Sequence, residues 1–343
     1  MTDNTISFYI IDPHKNEQER ADVAKLLAQC DLDFENTVEI FVVGRQNGQL
    51  AACAGLDGNI VKCVATSPDW RGESLSLRLM GEMAHVAYEL GRHHLFLFTR
   101  PYNVEAFQGC GFYLLAEVSD QCALMENTPF GIRNYCQSLA RLRKDGQKIG
   151  GIVVNANPFT YGHQYLIRTA ASQCDWLHLF VVAEDASFIS YRDRFALVQE
   201  GVKGIPNLTL HPGSQYMVSR ATFPDYFFKD KGMVGECCTA IDLLLFRNYI
   251  APALGVTHRF VGTEPFCPTT RKYNDDMKQW LQTEPTRGSP ITVVEIPRTA
   301  VDGTPVSASQ VRRLLADRDL EALTKLVPES TLALLKNKYM PAA

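Results

Sequence analysis

The sequence predicts an α/β protein in two parts, an amino-terminal α+β part followed by a parallel sheet with helices on both faces. Three observations predict this. The chain has 343 residues, long for one domain. Its first third reads as short strands joined by turn signals, with a few helices between them. After about residue 148 the rhythm changes to near-continuous apolar runs alternating with helical patterns, as expected of parallel strands buried on both faces. The expected division is residues 1–128 for the first domain, 129–147 for a connecting helix and linker, and 148–343 for the second.

The elements follow in order. "NTVEIFVVGRQNGQLAACAGLDGNIVKCVATSP" reads as strands joined at Gln46-Asn47-Gly48 and Asp57-Gly58-Asn59. Leu75, Leu79, Met83, Val86 and Leu90 recur at helical spacing, and Gly91 closes that helix. "HLFLFT" is a strand and "NVEAFQGCGF" a short helix running into a turn. Residues 129–144 make a connecting helix with Ile132, Tyr135, Cys136 and Leu139 on one side, and the polar run "RLRKDGQK" ends it. Strand-like runs then fall at 149–154, 177–182, 208–210, 259–261 and 291–296.

Composition narrows the function. Hydrophobic content of 46% and charged content of 21% describe an ordinary globular chain. A net charge of −4 argues against nucleic acid as a partner, which needs a concentrated basic surface. No apolar stretch approaches membrane-spanning length, and the first residues lack a basic flank before a long apolar core. Ten cysteines are scattered without a C-x-x-C pair, so reduced thiols in a cytoplasmic protein are expected, with no metal site.

The informative stretch is "GGIVVNANPFTYGHQYLIRTAA", from Gly150. An apolar strand ends in a polar turn and a helix follows, with Thr160, Gly162 and His163 spaced T-x-G-H between them. Helix N-termini offer unsatisfied N–H groups and partial positive charge to a phosphate. Gly162 has no Cβ to block a ligand's approach, and Thr160 and His163 can donate hydrogen bonds. Pro158 stiffens the turn. A plain helix cap with a surface histidine would fit these residues equally well.

A second signal weighs against that plain reading. "TPVSASQVRRLL" begins at Thr304, with Ser307 or Ser309 as an N-cap and Arg312 in the first turns of the helix after a late strand. T/H-x-G-H after a first strand, paired with this serine-rich turn and arginine, resembles the nucleotidylyl transferase superfamily. "NPFTYGHQYLI", "RDRFALVQEGV", "SRATFPDYFFKD" and "VGTEPFCPTTRKYN" resemble the citrate lyase ligase family more closely, over nearly the whole chain. The resemblance implies a Rossmann-like nucleotidylyl transferase domain preceded by an N-acetyltransferase-like domain. It implies ATP and Mg2+ as cofactors, with acetate and the thiol arm of the citrate lyase acyl-carrier subunit, a dephospho-coenzyme A derivative, as partners. Acetate would attack the α-phosphate, and the thiol would then take the acetyl group from acetyl-adenylate.

By the same resemblance His163, Thr160 and Arg312 would act on the phosphates. Asn155, Asn157, Pro158, Phe159, Gly162, Gly262, Glu264, Ser307 and Ser309 would bind the nucleotide. Glu264, just past a strand end with Gly262 and Thr263, would orient magnesium or ribose. Arg192 and Arg194 would contact phosphate or acetate unless they are exposed helix arginines, and Asp225 and Lys229 enter through the resemblance alone. An adenylylyltransferase acting on a phosphorylated metabolite such as phosphopantetheine, or a module that only binds nucleotide or acyl-coenzyme A, shares these features.

Acetyl transfer by the first domain is not expected. Acetyltransferases of that fold carry glycines in a loop where this chain has Arg71-Gly72-Glu73-Ser74-Leu75-Ser76. Their general-acid tyrosine is replaced by Phe107, four residues before Gly111, and a phenyl ring has no proton to give. A fold kept with an eroded loop suggests a cradle for the carrier's pantetheine arm instead.

Overall fold

Amino-terminal elements begin with β1 (Ser7–Ile11), α1 (Glu17–Gln29), β2 (Ile40–Gln46), β3 (Gln49–Asp57) and β4 (Ile60–Thr66). In this computed structural model, residues 6–70, 74–184, 187–222, 236–301 and 303–340 are described. Asn47 and Gly48, with φ of 50° and 80°, form the left-handed pair that a two-residue β2–β3 hairpin requires. Next come α2 (Leu75–Glu89), β5 (Phe96–Thr99), α3 (Val104–Gly109), β6 (Tyr113–Val118) and β7 (Cys122–Glu126). Together the strands make one seven-stranded sheet in the order β1-β2-β3-β4-β5-β7-β6, antiparallel except between β4 and β5. Leu75, Leu79 and Met83 of α2 pack on Val42, Ala52 and Ala54, while Val23, Leu26 and Leu27 of α1 pack with Phe41, Val43 and Cys53. The alternation of a strand's side chains thus buries both faces of the sheet. The β4–β5 pairing is confined to Ile60 and Val61, and beyond them the two strands are unpaired with each other.

The chain divides into two units, Met1–Arg133 and Asn134–Ala343, so the division falls within α4 (Gly131–Ala140). The second unit continues with β8 (Ile149–Val154), α5 (Tyr161–Ser172), β9 (Trp176–Val181), α6 (Tyr191–Gly201) and β10 (Leu208–Pro212). After these come α7 (Glu236–Leu245), α8 (Ala251–Leu254), β11 (His258–Gly262), α9 (Pro268–Met277) and β12 (Thr292–Ile296). A two-stranded ribbon of β13 (Ala300–Val301) and β14 (Thr304–Pro305) precedes α10 (Ala308–Ala316), α11 (Leu320–Thr324) and α12 (Glu329–Leu334). The five longer strands form an all-parallel sheet in the order β10-β9-β8-β11-β12.

β8 sits at the centre because it is apolar throughout and carries two glycines where its neighbours crowd it. A Cβ on Gly150 would meet Phe260 at 2.8 Å and Leu177 at 2.9 Å. One on Gly151, on the opposite face, would meet Val256 at 3.2 Å and Phe246 at 3.3 Å. From β8 the chain moves outward to β9 and β10, then returns to the other side of β8 to lay down β11 and β12. The strand order therefore reverses between β8 and β11, the place where open parallel sheets leave a crevice beyond their carboxyl ends.

Candidate active site

A cavity of about 520 Å3 occupies that crevice. Val154, Asn155 and Asn157 come to it from β8 and its turn, Thr160, Gly162 and His163 from the start of α5, and Val261, Gly262 and Glu264 from the end of β11. Arg298 follows β12, and Ser307, Ser309 and Arg312 follow the β-ribbon. The two sequence motifs, about 150 residues apart, thus face one space.

Thr160 is the N-cap of α5, in an extended conformation, and its hydroxyl oxygen accepts the His163 amide at 3.3 Å. His163 returns the contact, its Nδ1 accepting the Thr160 amide at 3.1 Å and lying 2.8 Å from the Thr160 hydroxyl. A backbone amide can only donate, so Nδ1 is the acceptor and, by hydrogen-bond logic, the ring proton resides on Nε2. Phe159 stacks against the imidazole at 5.8 Å. Burial, helped by the nearby Arg298 charge, pushes His163 down to about 4. At neutral pH it is an uncharged donor. Thr160, in turn, spends its hydroxyl on holding that ring and the helix end, a positioning role rather than the direct phosphate contact expected of it.

Gly162 has a second reason to be glycine. A Cβ there would lie 3.3 Å from the Val306 carbonyl oxygen, so its absence lets the start of α5 approach the segment leading into α10. Ser307 is the N-cap of α10, its hydroxyl accepting the Gln310 amide at 3.1 Å. Arg312 donates to the Asn157 carbonyl at 2.5 Å and to the Ser309 hydroxyl at 3.0 Å, tying the two motifs together.

Arg298 was not legible as a site residue. It donates through Nε to the Thr263 carbonyl at 2.7 Å and through Nη1 to the Val306 carbonyl at 3.2 Å, and pairs with Glu264. It thereby joins the loops after β11 and β12 to the α10 motif. Its signal was positional: it lies two residues past the carboxyl end of β12, where a parallel sheet presents its ligand edge. Phe188 and Phe266, each 53% exposed, also line the cavity and were not singled out.

Several expected roles move. Glu264 lines the cavity, but one carboxylate oxygen accepts the Phe266 and Cys267 amides and the other pairs with Arg298. It shapes a turn, and most of its acceptor directions are already taken by these protein donors. Pro158 and Phe159 are buried beneath the turn rather than lining the cavity, Phe159 within the apolar core between the sheet, α5 and α6. Arg194 is fully buried and spends its guanidinium on protein oxygens, among them the Asn155, Val182, Ile189 and Glu184 carbonyls. It contacts neither phosphate nor acetate; it fastens the switch-point turn. Arg192, two residues earlier on α6, is exposed and lies outside the cavity. Asp225 and Lys229 fall outside the described residues.

Asn155 shares hydrogen bonds with Ser187 at 3.2 Å, and Asn157 accepts the Ile189 amide at 2.9 Å, so both brace the cavity wall that they line. Among the described residues no group of three or more His, Cys, Asp or Glu is placed to hold a metal ion. The described side chains therefore offer no cage for magnesium, and no chemical step is derived through that ion.

In the first unit Phe107 packs against the α2 core and edge-on to Phe112 at 6.5 Å, a structural position without a proton to donate. Ser76 shares a hydrogen bond with Thr66 at 3.2 Å, and Arg71, Gly72 and Glu73 lie outside the described residues. Cys30, Cys53, Cys63, Cys110, Cys136, Cys174 and Cys267 are free thiols, whereas Cys122 is disulfide-bonded, contrary to the expectation of reduced thiols throughout. Among the described residues no helix is long and apolar enough to cross a membrane.

Residues 149–335 match the family model described as the citrate lyase ligase C-terminal domain. A [Citrate [pro-3S]-lyase] ligase of Klebsiella pneumoniae is 50% identical over 321 residues, 94% of each chain. The protein of that name in Escherichia coli strain K12 is 51% identical over 317 residues, 92% of this chain and 90% of that one. The Haemophilus influenzae protein of the same name is 46% identical over 315 residues, covering 92% and 94%. With a family model spanning more than half the chain and relatives of about half-identical sequence over nearly all of it, the chain belongs to the citrate lyase ligase family.

Proposed function

We propose that this chain uses ATP to acetylate the thiol arm of the citrate lyase acyl-carrier subunit, by way of acetyl-adenylate. An acetate oxygen attacks the α-phosphorus and the bond to the bridging β-oxygen breaks, releasing pyrophosphate. The carrier thiolate then attacks the carbonyl carbon of the mixed anhydride, AMP leaves, and the thiol proton passes to solvent. The single observation that supports this reading is the pairing of both motif helices, α5 and α10, across one crevice at the switch point, in a member of this family.

The roles follow from the geometry. Neutral His163 donates from Nε2 to an oxygen of the reacting phosphate, and the N-termini of α5 and α10 aim backbone dipoles at the same charge. Arg312, held by Asn157 and Ser309, carries the fixed positive charge for the triphosphate. Phe188 or Phe266 offers a ring face to the adenine. No side chain need act as a covalent nucleophile, because the adenylate already activates the acyl group. Catalysis is then chiefly orientation and pre-set electrostatics.

The test is acetate-dependent exchange of labelled pyrophosphate into ATP by the purified chain. Exchange that requires acetate, and that falls about 100-fold or more in His163→Ala, is the expected result. Exchange independent of acetate would overturn the reading, as would a His163→Ala rate near that of the unaltered chain.

A further inference from the structure

The crevice does more than lie beyond the strand ends; it enters the sheet. β8 pairs with β9 along all six of its residues, and β11 pairs with β12 along all five of its own. Between β8 and β11, however, pairing is confined to Gly150 with His258 and Gly151 with Arg259. Past that point the two strands part. Ile152, Val153 and Val154 on one side and Phe260, Val261 and Gly262 on the other all line the cavity. A sheet that forgoes ladder hydrogen bonds at its centre, while its other pairs run to the strand ends, opens a place for a ligand there.

One wall of that gap has room to spare. Gly262 ends β11 in strand conformation without a positive φ, so its backbone does not call for glycine. Packing does not call for it either. Among the described residues the one heavy atom within 4 Å of a Cβ placed there is Leu166 Cδ2, at 3.9 Å, an ordinary contact. A methyl group on Gly262 would therefore just touch Leu166, so the gap between them takes one methyl and no ring. Gly262 continues the row of Phe260 on the α5 face of the sheet, and Leu166 stands one helical turn after His163. Ile296, the register partner of Gly262, and Ile152 on β8 belong to the same apolar cluster as Leu166, and all three line the cavity. The mouth of this recess is polar. Arg298 donates to the carbonyl of Thr263, the residue after Gly262, and its charge reaches His163. Among the described residues, three of the five side-chain N–H groups of Arg298 go to protein oxygens, so two remain. An apolar pit under a guanidinium and an imidazole matches a short acid, with its carboxylate at the mouth and its hydrocarbon below.

We infer that the methyl group of the acid substrate occupies the gap between Gly262 and Leu166, and that the missing Cβ of Gly262 sets how long an acid the site accepts. This rests on the proposed adenylation reaction and names where that reaction seats its acid. One carboxylate oxygen faces Arg298, and the other is free to reach the α-phosphorus beside His163. The adenine stays at the rim with Phe188 or Phe266, outside the gap. Gly262 is thus a size-setting residue for the acid rather than a contact to the nucleotide.

The test uses the full chain in acetate-dependent pyrophosphate exchange. Gly262→Ala fills the gap with a methyl of the protein's own. The kcat/KM for acetate should fall about 10-fold or more, while the KM for ATP stays within about threefold. Neither backbone nor packing at Gly262 requires glycine, so the urea midpoint of this variant should not drop and lost activity is not lost folding. Leu166→Ala works in the opposite direction. It lengthens the gap and should raise the propionate-to-acetate ratio of kcat/KM about 10-fold or more. An unchanged acetate kcat/KM in Gly262→Ala overturns the inference, as does an unmoved ratio in Leu166→Ala. A matching rise in the KM for ATP overturns it too, since it would put the nucleotide in the gap. If the unaltered chain exchanges no pyrophosphate, the adenylation reading falls and binding alone decides the recess. With α,β-methylene-ATP bound, sodium acetate against sodium chloride at equal ionic strength should then raise the melting temperature of the unaltered chain and not of Gly262→Ala. An equal response in both, including none, overturns the inference.

Discussion

At the scale of single residues, the site shows one side chain setting the chemistry of another. His163 would titrate near 6.5 if free, but burial first and the Arg298 charge second hold it at about 4. Its neutral form therefore persists well below the pH at which an ordinary imidazole is protonated. Nitrogen chemical shifts of the His163 ring should report a neutral imidazole near pH 6, with the proton on Nε2. Replacing Arg298 with Gln removes a like-charge neighbour, so the titration midpoint should move up; a midpoint that stays put would show that burial alone sets it. The sequence revealed His163, Gly162 and Arg312 because their spacing is a pattern. It did not reveal Arg298, nor the burial of Arg194, since both act through carbonyl oxygens that any residue type supplies. "YRDRF" reads as a charged surface turn of helix, yet Arg194 sits at the one position of that turn facing inward, where a guanidinium can satisfy several loop carbonyls at once.

At the scale of elements, the strands of the second unit were readable almost to the residue because a strand buried on both faces is a continuous apolar run. β8 is the clearest case: its apolar run and its bounds coincide, and its two glycines mark close packing from both sides. The short helices α11 and α12, of five and six residues, went unread because neither is long enough to display a 3.6-residue period. α5 is where element and site meet, since Thr160 caps the helix and also fixes His163. Thr160→Ala should cost about 1 kcal/mol of stability, the usual worth of an N-cap, in urea unfolding. It should also slow pyrophosphate exchange by more than that stability loss explains, because the freed imidazole can turn its proton away from the phosphate. Thr160→Ser keeps the oxygen and should keep both properties. Equal loss in the two variants would mean that the methyl group, not the hydroxyl, matters.

At the scale of the whole molecule, the parallel sheet buries more than apolar side chains, and this sets its response to acid. His178 and His211, on the paired strands β9 and β10, touch at 2.8 Å and are almost wholly buried. Burial pushes each down to about 4, with Lys144 adding to the effect on His178 and His178 to that on His211. Two buried imidazoles in contact can share one proton between them, but a second would place like charges side by side. Above pH 6.5 the folded and unfolded chains are both neutral at these positions, so the pair contributes no pH dependence. As pH falls below 6.5 the unfolded chain takes up protons that the folded chain refuses, and stability declines until the folded pKa near 4 is reached. Each such group contributes up to about 1.4 kcal/mol per pH unit in that window, or roughly 2–4 °C of melting temperature per kcal/mol for a unit of this size. The second unit should therefore lose melting temperature steeply between pH 6.5 and 4. His211→Gln, which cannot be protonated and can still hydrogen-bond to His178, should flatten that decline. An acid profile identical in the variant would place the sensitivity elsewhere, with His163 as the next candidate because it too is held neutral by burial.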